Sequence, residues 1–447
     1  MSNTVPSVPE RGRRVPLIVA GSLLAGFVAA IVLVVGPMAG GTEPRITGSV
    51  LLAFGLGWGL IAVLSTRYTD QPQRWALVPA AYMGIVGLSL IVLQPGQGVM
   101  DALSWVWPPV LLVLAGWIVI QARQALRGRT RWLLYPVVVV LVLFAIGGGL
   151  ETILEAVDRG AHPMTGQLVD VGGHRLQISC TGSGSPTVVL ESGAAESSFY
   201  WGRIAPAVAG VTKVCVYDRA GRGFSEAAAG PQDGVAVAND LHALLAASGN
   251  AGPYVLVGHS TGGAYVRIFA ARYPNEVAGM VLLDSQPADA FTALPDYAGF
   301  YSSTHTVLAL LPSVARLGVM RLVYASSFAD LPEPARGQER ADQVTPRMEA
   351  SGRDEFVAIP ATLQAAMTLT SFGDRPLVVV TAVAEAPRGW LPAQDTMAAL
   401  STNSAHRVLQ DMTHETLITS ESGAAASSQA ILDVVAAVRT GAAVAKQ

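Results

Sequence analysis

Five uncharged apolar runs within the first 150 residues constrain the fold of this chain more than any other feature of its sequence. Each run approaches the length of about 20 residues that crosses a bilayer as a helix. They cover residues 15–35, 46–64, 75–93, 103–120 and 133–150. Because backbone embedded in lipid must satisfy its own hydrogen bonds, such runs fold as helices. The sequence therefore predicts an all-α transmembrane bundle of about five helices, with the lipid bilayer as a partner.

Two alternatives remain open for individual runs. The third and fourth runs are short and contain proline, so either could be a buried or re-entrant segment. The first run follows Arg11, Arg13 and Arg14 and could be a cleaved signal peptide, although the four later runs would still anchor the chain.

The arginines that flank the runs predict the orientation in the membrane, because basic residues accumulate on the cytoplasmic side. Three precede the first run, one follows it (Arg45), two follow the second (Arg67, Arg74), none follows the third, and four follow the fourth (Arg123, Arg127, Arg129, Arg131). We therefore expect residues 1–14 to be a cytoplasmic tail and everything after the fifth run to be extracytoplasmic. The protein is expected to be a multi-pass protein of the plasma membrane. Scarce lysine beside abundant Arg, Ala and Gly suggests a bacterial source.

The pattern of apolar residues changes after a juxtamembrane linker, which is expected at residues 151–163. From residue 164 to 447, short apolar runs alternate with helix-like stretches, and Gly, Pro and polar clusters separate them. The strand-like runs are 166–171, 174–180, 187–190, 212–217, 254–258, 277–283, 376–382 and 406–409. Such alternation predicts a mostly parallel eight-stranded sheet that helices cover on both faces.

The hexapeptide from Gly258 to Gly263, Gly-His-Ser-Thr-Gly-Gly, follows one of these strands and precedes a helix-like stretch. A serine on such a sharp strand-to-helix turn exposes its hydroxyl, and glycines are needed where side chains would collide across the turn. Ser260 is therefore the candidate nucleophile, and the backbone N–H of Thr261 is a candidate donor to an oxyanion.

Two further motifs make this region resemble the α/β-hydrolase fold family, in its esterase, lipase and aminopeptidase-like branch. Residues 192–201, SGAAESSFYW, are similar to the family's HGxxxSSxxW loop after strand three, with Ser192 in place of the usual histidine. Residues 217–225, YDRAGRGFS, are similar to the DxRGxGxS turn after strand four. The resemblance implies a helical cap inserted after strand six, here residues 286–375.

The same resemblance implies the remaining site residues. The base of the family lies in the loop after the last strand, where this chain has His414. The acid lies either at the end of strand six, which favours Asp284, or after strand seven, which leaves Glu385 as the alternative. Ala194, by its position in the loop after strand three, is expected to supply the second oxyanion donor through its backbone N–H.

The other candidate groups have weaker support. Asp289 and Asp395 are remote alternatives for the acid. His259 is expected to pack against the protein as a structural residue, because its side chain points away from Ser260 at an elbow. No role in catalysis is expected for the histidines on surface, juxtamembrane or cap segments, which are His162, His174, His242 and His305.

Both cysteines of the chain, Cys180 and Cys215, lie in strand-like runs. In the implied fold these runs are the second and fourth strands, which are neighbours, so a cross-strand disulfide is possible. Two buried free thiols are the alternative.

The composition narrows the function further. A net charge of −3 without a basic block argues against nucleic acid as a partner, and no residue spacing indicates a metal or cofactor. The cap is rich in apolar and aromatic residues, which favours a hydrophobic substrate. The sequence therefore predicts a membrane-anchored serine hydrolase that cleaves carboxylic esters. An amidase or aminopeptidase with the same triad, or a catalytically weak sensor, is the alternative.

Overall fold

The computed structural model describes residues 14–38, 40–126, 128, 130–230 and 232–446. Arg11, Arg13, Arg127 and Arg129, which entered the prediction of orientation, lie outside the described residues. The chain forms two compact units. The first comprises Met1–Ala156 with Ala309–Val319, and the second comprises Val157–Leu308 with Met320–Gln447.

The first unit is helical. Its helices are α1 (Val15–Val35), α2 (Glu43–Tyr68), α3 (Leu77–Leu93), α4 (Gln97–Ser104), α5 (Trp107–Ala125) and α6 (Tyr135–Ala161), the last of which ends in the second unit. Among the described residues, five helical segments are long and apolar enough to cross a membrane, and they coincide with the five predicted runs. The prediction of five apolar helices is thus confirmed. Helix α6 extends through most of the predicted linker at 151–163.

Small residues allow the helices of the first unit to approach closely. A Cβ added to Gly48 of α2 would lie 2.6 Å from the carbonyl oxygen of Gly87 in α3, and a Cβ added to Gly87 would lie 2.6 Å from that of Gly48. Such close backbone contact increases the van der Waals attraction between the two apolar helices.

A segment of the predicted cap belongs to the first unit. Residues 309–319, which include α12 (Leu311–Ala315), pack with the apolar helices of this unit. The buried guanidinium of Arg316 forms an ion pair with Glu43 and donates to the Ser104 hydroxyl at 2.6 Å. Part of the insertion at 286–375, which the sequence predicts to be a helical cap, therefore belongs to the first unit. Its apolar residues were expected to form cap core, and the ion pair of Arg316 with Glu43, which spans 273 residues, has no local signal in the sequence.

The second unit contains an eight-stranded sheet. Its strands are β1 (Gln167–Asp170), β2 (Arg175–Thr181), β3 (Thr187–Glu191), β4 (Val214–Tyr217), β5 (Tyr254–His259), β6 (Val277–Leu283), β7 (Leu377–Ala382) and β8 (Ser404–Leu409). Their order is β1-β2-β4-β3-β5-β6-β7-β8. The pairs β1–β2 and β2–β4 are antiparallel and all the others are parallel. The predicted mostly parallel sheet is confirmed.

Helices cover both faces of this sheet. They are α7 (Ile204–Ala209), α8 (Gly234–Ala247), α9 (Gly262–Arg272), α16 (Trp390–Ala398), α17 (Thr416–Thr419) and α18 (Glu421–Thr440). Alternate residues of β5 point to opposite faces: Leu256 packs in a core with α8 and α9, whereas Val255 and Val257 pack in a core with α7 and α18. Both faces of a parallel strand are thus buried, which explains its continuous apolar sequence.

The insertion between β6 and β7 contributes the other helices of the second unit. They are α10 (Ala290–Ala293), α11 (Tyr297–Leu308), α13 (Met320–Val323), α14 (Ala335–Gln343) and α15 (Pro346–Ala366). Helix α15 begins at a proline, and its N-cap residue Thr345 accepts a hydrogen bond from the Met348 amide through its side chain. This combination is typical of a helix start.

Candidate active site

The carboxyl ends of the parallel strands bring the candidate residues to one edge of the sheet. Ser260 follows β5, Asp284 follows β6, and His414 lies in the segment after β8. The loop that contains Ala194 follows β3. In open α/β sheets, the crevice at this edge is where ligands bind.

Ser260 occupies the sharp turn that the sequence predicts between β5 and α9. Its φ of 54° lies in the left-handed region. A Cβ on Gly258 would lie 2.5 Å from the carbonyl oxygen of Gly262, so a side chain there would collide with the turn. The turn therefore requires glycine and presents the half-buried serine at the head of the helix.

His414 and Asp284 form a hydrogen-bonded pair. The Nδ1 of His414 lies 2.6 Å from Oδ2 of Asp284. The other carboxylate oxygen accepts from the indole N–H of Trp390 at 2.7 Å and from the Ala382 amide at 3.1 Å. The Asp284 side chain is 4% exposed and that of His414 is 46% exposed. A buried carboxylate held by two other donors can orient an imidazole that remains accessible to substrate.

The imidazole of His414 lies next to the elbow. Its centroid is 4.5 Å from that of His259, the residue that precedes Ser260. Within the described part of the chain, Nε2 of His414 makes no hydrogen bond, and the same is true of the Ser260 hydroxyl. Nucleophile and base need not be hydrogen-bonded in an unliganded site, because such contacts often tighten only with substrate.

The structure does not bring the alternative acids to His414. Glu385 is exposed in the turn after β7 with φ of 68°. Asp395 instead binds His406, whose Nδ1 lies 2.7 Å from its carboxylate. Asp289 is the N-cap residue of α10 and is exposed. Of the four acids considered, the structure brings only Asp284 to the imidazole.

His259 has more than a packing role. It is fully buried, its Nδ1 lies 3.0 Å from the Glu196 carboxylate, and its Nε2 lies 3.0 Å from the backbone oxygen of His414. Because both acceptors are oxygens, both ring nitrogens donate and the ring is an imidazolium. Burial lowers the pKa of His259, but the charge and hydrogen bond of Glu196 outweigh it and the pKa is raised.

The partner carboxylate shows the complementary shift. Burial raises the pKa of Glu196. The charge of His259, the hydrogen bond to its ring and the hydrogen bond from the Gly193 amide together lower the pKa by more than burial raises it, so the pKa lies below its ordinary value. The pair Glu196–His259 is therefore an ion pair that joins the loop after β3 to the backbone of the base. Glu196 lies inside a motif that the sequence identifies, so its position was available as a signal, although its role was missed.

The two expected oxyanion donors belong to two segments that meet at the nucleophile. Thr261 follows Ser260 at the start of α9, and Ala194 lies in the loop that passes over it. A Cβ on Gly193 would be 2.8 Å from the Cβ of Ser260, which shows how closely this loop approaches. In the described residues neither amide donates to a protein acceptor. Both can therefore donate to a substrate oxygen.

A buried charge network, which sequence reasoning missed, holds the loop after β3. Arg219 forms ion pairs with Glu191 and Glu355, and Arg222 forms an ion pair with Glu355. Both arginines lie in the turn after β4 that the sequence identifies as a motif. Glu355 lies in α15, and its contact to Arg219 spans 136 residues, so that no local signal could have identified it.

Aromatic side chains of the cap connect to the elbow. The Thr261 hydroxyl donates to Gln286 at 3.1 Å, and the amide of Gln286 in turn bonds the Tyr297 hydroxyl. Tyr297 belongs to a cluster of ring contacts formed by Phe291, Tyr297, Phe300, Tyr301 and Phe356. The aromatic cluster of the cap is therefore connected to Thr261, the candidate oxyanion donor, through one intervening side chain, that of Gln286.

The two cysteines form a disulfide. Cys180 and Cys215 are directly opposite each other in the antiparallel pair β2–β4, and their sulfur atoms are bonded. The alternative of two buried free thiols is not observed. In the described residues, no group of three or more His, Cys, Asp or Glu side chains could hold a metal ion.

Comparison with known proteins agrees with this architecture. The model of the family described as alpha/beta hydrolase fold matches residues 186–332. A solved protein from Acinetobacter baumannii that is provisionally described as a lipase superposes with a TM-score of 0.51 at 21% identity, covering 65% of this chain and 97% of that one. The C-terminal domain therefore has the α/β-hydrolase fold.

Curated relatives match shorter parts of the chain. An uncharacterized protein of Schizosaccharomyces pombe is 28% identical over 230 residues, which are 50% of this chain and 42% of that protein. Lipase LipV of Mycobacterium tuberculosis is 38% identical over 125 residues, which are 26% of this chain and 47% of that protein. The chain thus spans less than half the length of these two relatives. Together, the fold and the relatives support a hydrolase.

Proposed function

We propose that this hydrolase-fold chain is a membrane-anchored serine hydrolase that cleaves carboxylic esters, with Ser260, His414 and Asp284 as its triad. The observation that carries this proposal is the 2.6 Å pair of His414 and Asp284, because it orients an accessible imidazole beside the elbow that presents Ser260. A serine hydroxyl becomes an effective nucleophile only when such a base accepts its proton.

In the first half of the reaction, Nε2 of His414 takes the proton of the Ser260 hydroxyl while Oγ forms a bond to the ester carbonyl carbon. The carbonyl oxygen becomes an oxyanion, to which the amides of Thr261 and Ala194 donate. Asp284 stabilises the imidazolium through Nδ1. The imidazolium then returns its proton to the alkoxy oxygen as the C–O bond breaks, so that an alcohol leaves and an acyl-serine remains.

In the second half, His414 takes a proton from water, and the hydroxyl oxygen adds to the acyl carbon. The tetrahedral oxyanion is held by the same two amides. When it collapses, the bond to Oγ of Ser260 breaks and Oγ regains the proton from Nε2. The products are a carboxylic acid and the free enzyme.

The aromatic cluster of the cap supports a fairly hydrophobic ester as the substrate. Phe291 and Phe300 are 38% and 55% exposed, so their rings remain available for contact with an acyl chain. The same triad would serve an amidase or aminopeptidase. Comparing the turnover of p-nitrophenyl esters of rising acyl length with that of aminoacyl p-nitroanilides separates these substrate classes.

A fluorophosphonate probe tests the proposed nucleophile in the full-length protein in detergent micelles. We expect the wild type to be labelled, Ser260→Ala to resist labelling, and the exposed control Ser302→Ala to be labelled like the wild type. Labelling of Ser260→Ala at the wild-type rate would contradict the assignment. A folded wild type that neither reacts nor turns over esters would favour a sensor domain.

We also propose that five helices anchor the chain in the plasma membrane with the catalytic domain outside the cytoplasm. The arginine-rich segment after α5 and the disulfide, which is typical of an oxidising compartment, support this orientation. Fusing alkaline phosphatase or a fluorescent protein after residue 447 in a bacterial host tests it. Phosphatase activity is the expected result, and bright fluorescence without phosphatase activity would contradict it.

A further inference from the structure

Two buried arginines bind the backbone carbonyls of the loop that contains Ala194. Nη1 of Arg219 donates to the Ser192 oxygen at 2.7 Å, and its Nη2 donates to the Gly193 oxygen at 2.6 Å. Arg222 donates to the same Gly193 oxygen at 3.2 Å and to the Glu196 oxygen at 2.9 Å. The Gly193 carbonyl therefore receives donors from two guanidinium groups.

The Gly193 carbonyl belongs to the same peptide unit as the Ala194 N–H. In a planar trans peptide, the carbonyl and the N–H point in opposite directions. Fixing the oxygen on the arginine side thus fixes the N–H on the other side. A cation at the oxygen also polarises the peptide, which strengthens its N–H as a donor.

From this geometry we infer that Arg219 and Arg222 are positioning residues, which aim the Ala194 amide at the oxyanion that forms on the substrate. The inference rests on the proposed serine mechanism and extends it to groups that do not touch the substrate. It also gives a function to the turn after β4, whose residues lie outside the triad.

The arginines are themselves held in place. The hydroxyl of Tyr265 donates to Glu355 at 2.6 Å, and Glu355 accepts the Ala195 amide at 3.1 Å in addition to both guanidiniums. Burial raises the pKa of Glu355, but the charges of Arg219 and Arg222 lower it below its ordinary value, so the carboxylate stays ionised. The cap helix α15, through Glu355, thus contributes to the rigidity of the oxyanion loop.

Lysine substitutions test the inference, because lysine keeps the positive charge but lacks the planar guanidinium that binds the loop carbonyls and Glu355 at the same time. Arg219→Lys and Arg222→Lys are each made in the full chain, with Arg407→Lys as a control. Arg407 is a comparably buried arginine, 11% exposed, that binds Asp433 on another part of the sheet. The readouts are kcat and KM for p-nitrophenyl butyrate and the affinity of an alkyl trifluoromethyl ketone, whose adduct with the serine places an oxyanion in the same site.

Removing one oxyanion donor typically costs about 10²–10³ in kcat, and a misdirected donor retains part of this effect. We therefore expect kcat and trifluoromethyl-ketone affinity to fall together by about 10- to 100-fold in both variants, with KM nearly unchanged and Arg407→Lys similar to the wild type.

Folded variants with wild-type kcat and inhibitor affinity would overturn the inference. So would a fall in kcat with no fall in inhibitor affinity, or an equal loss in Arg407→Lys. If Arg219→Lys does not fold, Arg222→Lys decides by the same criteria. A wild type that hydrolyses no ester would overturn the proposed function and the inference with it, whereas an active wild type with unchanged variants would overturn the inference alone.

Discussion

The ring of His259 donates from Nε2 to the backbone oxygen of His414, 3.0 Å away, so the residue before the nucleophile supports the segment that contains the base. Its other nitrogen is held by Glu196 of the loop after β3. Three segments that are remote in sequence are thereby joined by one buried imidazolium. The candidate triad and the oxyanion loop consequently have this support in common.

Replacing Asp284 by asparagine should reduce kcat by about 10⁴, because an amide neither stabilises the imidazolium nor fixes the tautomer of His414. The measurement is ester turnover by the full chain, with circular dichroism to establish folding. Glu385→Gln is the matched control, since Glu385 is exposed and, among the described residues, it is Asp284 and not Glu385 that forms the ion pair with His414. Equal activity of both variants, or a larger loss in Glu385→Gln, would contradict the assignment of the acid.

Replacing Glu196 by glutamine should destabilise the catalytic domain by about 1.5–3 kcal/mol, because the buried His259 loses its charged hydrogen-bond partner and gives up its proton. Turnover should fall as well, since the backbone of His414 loses its support. The control is Glu276→Gln, which removes the partner of His242 from a pair whose side chains are 37% and 33% exposed. That pair should contribute less than about 1 kcal/mol. Chemical denaturation measures both, and equal losses would contradict the prediction.

The same pair predicts a stability maximum. The lowered pKa of Glu196 gives stability that is present above its ordinary value of 4.5 and lost as pH falls through the folded pKa. The raised pKa of His259 gives stability that is present below its ordinary value of 6.5 and lost as pH rises through the folded pKa. The double variant Glu196→Gln/His259→Gln should therefore show weaker pH dependence at both ends, and an unchanged profile of melting temperature against pH would contradict this.

Local sequence was sufficient for the strands and for the turn that contains the candidate nucleophile. The strand-like runs correspond to β1–β8, because buried parallel strands need continuous apolar sequence. The elbow needs glycine at position 258, because the turn leaves no room there for a side chain. The resemblance to the α/β-hydrolase family indicated His414 as the base and left Asp284 and Glu385 as candidate acids. Parallel strands bring their carboxyl ends to one edge, which favoured Asp284.

Contacts between segments that are remote in the sequence could not be predicted from local sequence. Glu355 reaches Arg222 across 133 residues, and Arg316 reaches Glu43 across 273 residues. A buried ion pair requires two groups that each look like ordinary surface residues in the sequence. The role of His259 was missed for the same reason, because its partner Glu196 lies 63 residues away.

The disulfide should contribute about 4 kcal/mol to stability, from the entropy that a cross-link removes from an unfolded loop with a sequence separation of 35 residues. We expect a reductant to lower the melting temperature of the wild type and to have no effect on the double variant Cys180→Ala/Cys215→Ala. Maleimide labelling of the unfolded protein before and after reduction measures the thiols. Free thiols in protein purified without reductant would contradict the prediction.

The buried carboxyl of Glu349 predicts that the catalytic domain loses stability toward neutral pH. This side chain of α15 is 5% exposed, and its Oε1 has no hydrogen-bond partner within the described residues. Burial raises its pKa from 4.5 to about 7, although a hydrogen bond with Tyr324 opposes the shift. Because the unfolded chain releases this proton first, stability should fall as pH rises from 4.5 to 7 and then level off.

At about 1.36 kcal/mol per pKa unit, the loss reaches at most about 3 kcal/mol. Glu349→Gln carries no charge to bury, so it should be more stable than the wild type at pH 8, and the difference should shrink toward pH 4.5. Melting temperatures across this range measure the effect, and Asp411→Asn, at an exposed acid, provides the control. A difference between Glu349→Gln and the wild type that stays constant with pH would show that the gain comes from packing and not from the ionisation of this carboxyl.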